Sequence, residues 1–203
     1  MKKFLGIVSL LLVLVVPAFA AEWSVVAGNV KDSIVEIAIS SETGEPQGAC
    51  TGFVVDNDRD FVVTAAHCDG PKVFVDNMPA KVRFKDVKND LMVLQVEGID
   101  RPALKLSDHD PKVGAEVASF GYGYALERPL FRVAHVSAGD IAIERGRYFA
   151  VDAAFVPGQS GGPVVDEQGR VTMVVQLGTS IIGLGVGTET IRDKVGRFFS
   201  QVK

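Results

Sequence analysis

Between Ile34 and Val186 the apolar residues of this chain come in short β-branched runs, and that pattern restricts the fold more than any other feature. Runs fall at 34–39, 52–55, 61–64 and 73–75, with two more at 80–84 and 91–96. Asn, Asp, Gly and Pro separate them, as turns separate strands. After a polar break at 108–111 the style repeats at 116–120, 130–136, 148–153, 164–165, 171–177 and 181–186. Helical spacing marks the two ends. Trp23, Val26 and Val30 predict a short leading helix. Ile191, Val195, Phe198/Phe199 and Val202 predict an amphipathic closing helix, capped near Thr188 or Thr190. About a dozen strands in two groups, closed by one helix, indicate an all-β protein of two barrels.

The first twenty residues read differently. Met1-Lys2-Lys3 is basic, an apolar run follows to Val16, and Pro17 precedes the small-residue end Ala18-Phe19-Ala20. This is the form of a secretory signal peptide cut after Ala20. An uncleaved membrane anchor is the alternative, but the run falls short of the ~20 apolar residues a span needs. The expectation is a bacterial protein exported to the periplasm or the medium, with no membrane attachment after cleavage. The rest is globular in composition, with 47% hydrophobic and 23% charged residues. A net charge of −4 argues against nucleic acid as a partner, because phosphate binding needs a concentrated basic surface. Cys50 and Cys68 are the only cysteines, and in an exported chain such a pair predicts one disulfide, worth about 3 kcal/mol for a loop of this length. His67 lies too close to Cys68 to serve as a well-placed second metal ligand, so neither a metal nor a cofactor is expected.

Gly158-Gln159-Ser160-Gly161-Gly162-Pro163 is the sharpest chemical signal. A serine so closely flanked by glycine sits where the backbone turns tightly and can approach a ligand. A plain glycine-rich turn is the bland reading, and G-x-S-x-G also fits the nucleophile elbow of α/β-hydrolases. Chain order separates these. An α/β-hydrolase needs its histidine after the serine, yet His67, His109 and His135 all precede Ser160. No strand–helix alternation is visible either. Subtilisin order would be Asp, His, Ser, but the segments around Asp32, Asp56, Asp58 and Asp60 carry nothing else of that family, so the order left is His, Asp, Ser. His109 and His135 stay at the structural default, whereas His67 ends a strand and adjoins a half-cystine.

Val63-Thr64-Ala65-Ala66-His67-Cys68, the earlier Cys50-Thr51-Gly52-Phe53 and the Ser160 segment occur in that order, and together they resemble the trypsin-like serine peptidase family over nearly the whole mature chain. The resemblance implies two six-stranded antiparallel barrels of the chymotrypsin kind with a C-terminal helix. After the signal peptide at 1–20, and with the junction at the polar break, this gives an N-terminal lobe at 21–110 with His67 and Asp90, and a C-terminal lobe at 111–203 with Ser160 and the closing helix. Asn89-Asp90-Leu91-Met92-Val93-Leu94 matches the family's acid at the start of an apolar strand, with Asp69 and Asp86 as competitors. The implied roles are Ser160 as nucleophile, His67 as its base and Asp90 as the group that fixes the imidazole tautomer. The N–H groups of Gly158 and Ser160 would hold the oxyanion. The implied partners are polypeptides, cleaved through an acyl-enzyme. The rival readings are the same fold without catalysis, acting as a binding protein, and an ester hydrolase.

Within the family, Val151-Asp152-Ala153-Ala154-Phe155-Val156-Pro157-Gly158 resembles the bacterial HtrA/Deg branch. The chain ends directly after its closing helix, so a PDZ domain of the HtrA kind is not expected. Gln159 is uncharged where trypsins carry an Asp that pairs with a new N-terminus, so activity without activation cleavage is expected. By the same resemblance Ala154 forms the base of the specificity pocket, Gly178 and Gly185 its walls, and Val175-Gln176-Leu177-Gly178 the strand that pairs with substrate. Phe155, beside the base, would shorten the slot. An uncharged base cannot offset the desolvation of Lys or Arg, so apolar P1 residues are expected.

Overall fold

The computed structural model describes residues 22–143 and 146–202. The expected signal peptide lies outside them. Helix α1 spans Trp23–Val30 and buries Val26 and Val30, as their spacing predicts. Seven strands follow: β1 (Ile34–Ser40), β2 (Pro46–Asp56), β3 (Phe61–Thr64), β4 (Lys72–Val75), β5 (Met78–Pro79), β6 (Lys81–Asp86) and β7 (Leu91–Gln95). They pair antiparallel in the order β5-β4-β1-β2-β3-β7-β6. This sheet differs from a six-stranded barrel in having one more strand, β5. That strand is the two-residue return arm of a hairpin turning at Asp76 and Asn77, both at positive φ. Such a turn follows the right-handed twist of its strands. Among the described residues β5 and β6 do not pair, and Pro79 brings no N–H to a ladder.

The second group is β8 (Glu116–Gly121), β9 (Leu130–Ile143), β10 (Gly146–Val151), β11 (Pro163–Val165), β12 (Val171–Gly178) and β13 (Gly183–Gly187). Here the order β10-β13-β12-β11-β8-β9 closes, because β9 also pairs with β10. This is the expected six-stranded antiparallel barrel. The connector before residue 108 bonds to this barrel: Ser107 N–H donates to Val171 O, and Val171 N–H donates to Lys105 O, both at 2.8 Å.

Helix α2 covers Thr188–Gln201 and buries Ile191 and Val195. Its cap differs from the local one expected. No side chain next to the first turn caps it; instead the Asp110 carboxylate accepts the Glu189 N–H at 2.8 Å. The Thr188 hydroxyl is buried and donates inward to Ser107 O. Burial pushes the Asp110 carboxyl up, against the lowering effect of that N–H. At the far end Arg59 donates to Phe199 O and Val202 O and lies over the Phe61 and Phe199 rings, tying α2 to β3.

Three apolar cores result. One fills the first sheet, with Val35, Ile37, Val62, Met92 and Leu94, and one the closed barrel, with Val117, Val136, Phe155 and Val175. The third joins the lobes and both helices through Phe53, Phe61, Phe120, Val174 and Ile191. The two sheets are therefore packed together along one shared apolar core.

Candidate active site

His67 stands on a single helical turn, Ala66–Cys68, just after β3. Asp90 immediately precedes β7, at φ 53, a left-handed conformation that Asp tolerates better than most side chains. The turn before it is built by Asp86, whose carboxylate accepts from Lys88 N, Asn89 N and Asn89 Nδ2. Asp90 Oδ1 accepts the His67 main-chain N–H at 2.8 Å, and Oδ2 faces Nδ1 of the same residue at 2.7 Å. Both oxygens thus act on one histidine. The Asp90 carbonyl accepts from Ala66 N at 3.1 Å and from Gln176 Nε2 at 2.9 Å, so a buried side chain of the second lobe fixes the first-lobe acid. The competing acids are committed elsewhere: Asp69 pairs with Lys85, and Asp86 builds the turn.

Cys50 and Cys68 are bridged, as expected. Both sulfurs and a His67 ring nitrogen lie within 4.8 Å of one another, but bonded sulfurs offer no thiolate, so this cluster is not a metal centre in the bridged chain. The Cys68 sulfur also lies 3.9 Å from Ser160 O. Thr51, next to Cys50, donates its N–H to that same carbonyl at 2.8 Å. The serine loop is thereby seated on the disulfide corner that carries His67. Among the described residues the Ser160 hydroxyl makes no hydrogen bond. A nucleophile–base contact of this kind is often loose without substrate and tightens in the complex.

Two glycines are required by this seating. Gly158 has φ +95 and Gly161 φ +81; a Cβ on the first would overlap Tyr122 O, and on the second Thr64 Oγ1 and Thr51 O. Beside His67 and Asp90 lies a cleft of about 420 Å³, lined also by Val87, Lys88, Tyr148 and Leu177. Leu177 and Gly178 are exposed at the end of β12.

Phe155 is buried, and a Cβ on Gly178 would overlap its main chain. The glycine against its ring is Gly183, which the sequence did not single out; a Cβ on Gly185 would instead meet Val174 and Met173. Arg132, also missed, donates its guanidinium to Ala154 O. No local pattern announces it, because β9 brings it from 22 residues away. His135 lies on the surface between Glu116 and Asp152, and its main-chain N–H holds the Asp152 carboxyl below the usual range.

A curled antiparallel sheet and a closed barrel, with a histidine–carboxylate pair and a glycine-flanked serine on the seam between them, define the chymotrypsin-like fold. Residues 50–172 match the family model of the trypsin-like peptidase domain, and the chain belongs to that family. Its relatives include probable periplasmic serine endoproteases, DegP-like, of Hahella chejuensis (33% identical over 138 residues, covering 63% of this chain and 29% of the relative) and Pseudomonas putida (30%, covering 63% and 28%). The chain therefore spans under a third of the length of those relatives. Among solved structures the fold is shared with the HtrA-type protease AlgW (TM-score 0.78, 17% identity, 89% of this chain and 64% of that one). It is shared too with the Rv3671c protease of M. tuberculosis in its active form (TM-score 0.75, 21% identity, 97% and 94%).

Proposed function

We propose that the protein is an exported serine endopeptidase in which Ser160 attacks the scissile carbonyl, His67 takes its proton and Asp90 holds the imidazole. The observation that carries this reading is the double hold of Asp90 on His67. A carboxylate that accepts from Nδ1–H leaves Nε2 bare, as a base must be, and the second bond to the main chain stops the acid from swinging away. The periplasmic relatives support export. The division into lobes near residue 110, and polypeptides as substrates, belong to the same proposal.

A fluorophosphonate probe tests it directly, because only an activated serine displaces fluoride from phosphorus. Labelling should be stoichiometric and confined to Ser160, as read by peptide mass spectrometry. An unlabelled protein, or a label on another serine, refutes the assignment and leaves the binding-protein alternative.

The same proposal extends to specificity, with Ala154 as the base of the pocket. The Phe155 ring lies against the Gly183 backbone, its main chain lies against Gly178, and the Arg132 guanidinium donates to the Ala154 carbonyl. Val, Ala and Leu at P1 should be preferred over Lys and Arg by at least about tenfold, ~1.4 kcal/mol, and should outrank Phe and Tyr. Phe155→Ala should admit aromatic residues. Ala154→Asp should move preference toward basic residues only in part, because Arg132 competes for the new carboxylate. A P1-varied peptide library on the three proteins reads all of this, and efficient wild-type cleavage after Lys or Arg would contradict it.

A further inference from the structure

The loop that carries Ser160 has almost no free main-chain hydrogen-bonding capacity. Every carbonyl from Val156 to Ser160 is taken: Val156 O by Gln159 N, Pro157 O by Tyr124 N, Gly158 O by the Thr51 hydroxyl, Gln159 O by Gly162 N, and Ser160 O by Thr51 N. On the donor side Val156 N–H goes to Gln159 Oε1, Gln159 N–H to Val156 O, Gly161 N–H to Val175 O and Gly162 N–H to Gln159 O. Pro157 has no N–H. Among the described residues, the loop donors left without an acceptor are Gly158 N–H and Ser160 N–H. A half-buried loop that satisfies every neighbour and omits these two is arranged for an acceptor that arrives with a ligand.

Their orientation is set by the carbonyls on the same peptide planes, because N–H and C=O point opposite ways across a trans peptide. The Gly158 N–H shares its plane with Pro157 O, which Tyr124 N–H holds at 2.8 Å; the Ser160 N–H shares its plane with Gln159 O, which Gly162 N–H holds at 3.0 Å. The plane between them is fixed by the Thr51 hydroxyl, which donates to Gly158 O at 2.7 Å. That hydroxyl also accepts the Tyr122 N–H at 2.8 Å. Accepting one bond and donating the other leaves it no rotational freedom, and Thr51 is fully buried. Tyr122 opens the turn that presents Tyr124, and Tyr124 sits at φ 56, ψ 31, which costs a bulky residue about 1–2 kcal/mol and needs outside support.

We propose that Thr51, a first-lobe residue, is the positioning residue for the oxyanion site of the second lobe: its hydroxyl locks the peptide between the two donors and braces the turn that aims the first of them. The proposal rests on the peptidase reading. It also explains why Gln159, neutral and bonded within its own loop, needs no charged N-terminus to order the site.

The test uses Thr51→Val, which keeps the shape and removes the hydroxyl, Thr51→Ser, which restores it, and Thr51→Ala as a second hydroxyl-free variant in case valine disturbs packing. Each is assayed on a peptide substrate with valine at P1. Each is also titrated with a peptide ending in valinal and with the matching valinol peptide. With the aldehyde, Ser160 Oγ bonds to the carbonyl carbon, the π pair moves to oxygen and the serine proton passes to His67, so an oxyanion forms. The alcohol has no carbonyl and cannot form one. In the hydroxyl-free variants kcat should fall about 10- to 100-fold with KM within about twofold, and aldehyde affinity should fall in step while alcohol affinity holds. Thr51→Ser should stay within about threefold of wild type. Equal weakening of aldehyde and alcohol would reduce Thr51 to a packing role and overturn the inference. So would wild-type kcat in a hydroxyl-free variant. A wild type that neither cleaves the substrate nor binds the aldehyde removes the peptidase reading itself, a distinguishable failure.

Discussion

Ser160→Ala should leave the fold intact and lower kcat on casein or a peptide substrate by three or more orders of magnitude, with KM little changed. The fold should survive because the Ser160 hydroxyl bonds to nothing among the described residues, while the main chain at 160 is held by Thr51 N–H through a carbonyl that alanine keeps. Unfolding temperature within a degree or two of wild type checks that half. The activity should collapse because no other group can form the acyl bond; what persists is the rate that binding and the oxyanion donors give to attack by water. The Gly158 and Ser160 N–H groups do not depend on the hydroxyl, so the variant should still bind substrate and product with near-native affinity. Cleavage near the wild-type rate would remove Ser160 from the mechanism and with it the proposed function.

The parts of this molecule legible in the sequence are those whose cause is local. The spacing of Trp23, Val26 and Val30 dictates α1, and the β-branched runs dictate most strands, because a buried face must recur every 3.6 or every two residues. The glycines around Ser160 are legible because backbone crossings leave no room for Cβ. What escaped was set by distant partners. The cap of α2 comes from Asp110, and the Phe155 ring lies on Gly183 through strand register, not sequence proximity. Thr51 stands in plain view inside the Cys50-to-Phe53 motif. Its hydroxyl acquires a role only when Tyr122 and Gly158, 71 and 107 residues away, arrive on either side of it. Strand β9 runs on to Ile143, past the 130–136 run, because residues 141–143 pair with β10 beyond a bulge at Gly139 and Asp140, where the register shifts and Asp140 takes φ 56. Long antiparallel partners override weak local propensity there.

Asp90→Asn is the sharper experiment on mechanism, because it changes one atom and should cost about three to four orders of magnitude in kcat. Asparagine accepts the positive φ at this position, so the backbone is unchanged. The difficulty lies in the two donors that Asp90 serves, the His67 main-chain N–H and Nδ1–H. An amide offers one oxygen and one NH2. If the oxygen turns to Nδ1–H, the NH2 faces the main-chain N–H, and a donor is left against a donor at a cost of about 1–3 kcal/mol. If the oxygen stays on the main chain, the NH2 faces Nδ1, and the imidazole can respond by moving its proton to Nε2. A peptide N–H cannot move its proton but an imidazole can, so the second arrangement wins. His67 then presents Nε2–H toward Ser160 and cannot take its proton. Nitrogen-15 spectra of the histidine ring should show the proton on Nδ1 in the wild type and on Nε2 in the variant, while melting temperature and KM stay close. The same substitution at Asp86 should instead loosen the turn before Asp90, with a smaller loss of kcat and no change of tautomer. Retention of more than a tenth of wild-type kcat in Asp90→Asn, or an unchanged tautomer, would mean that the carboxylate only supports the fold and that another group orients the base.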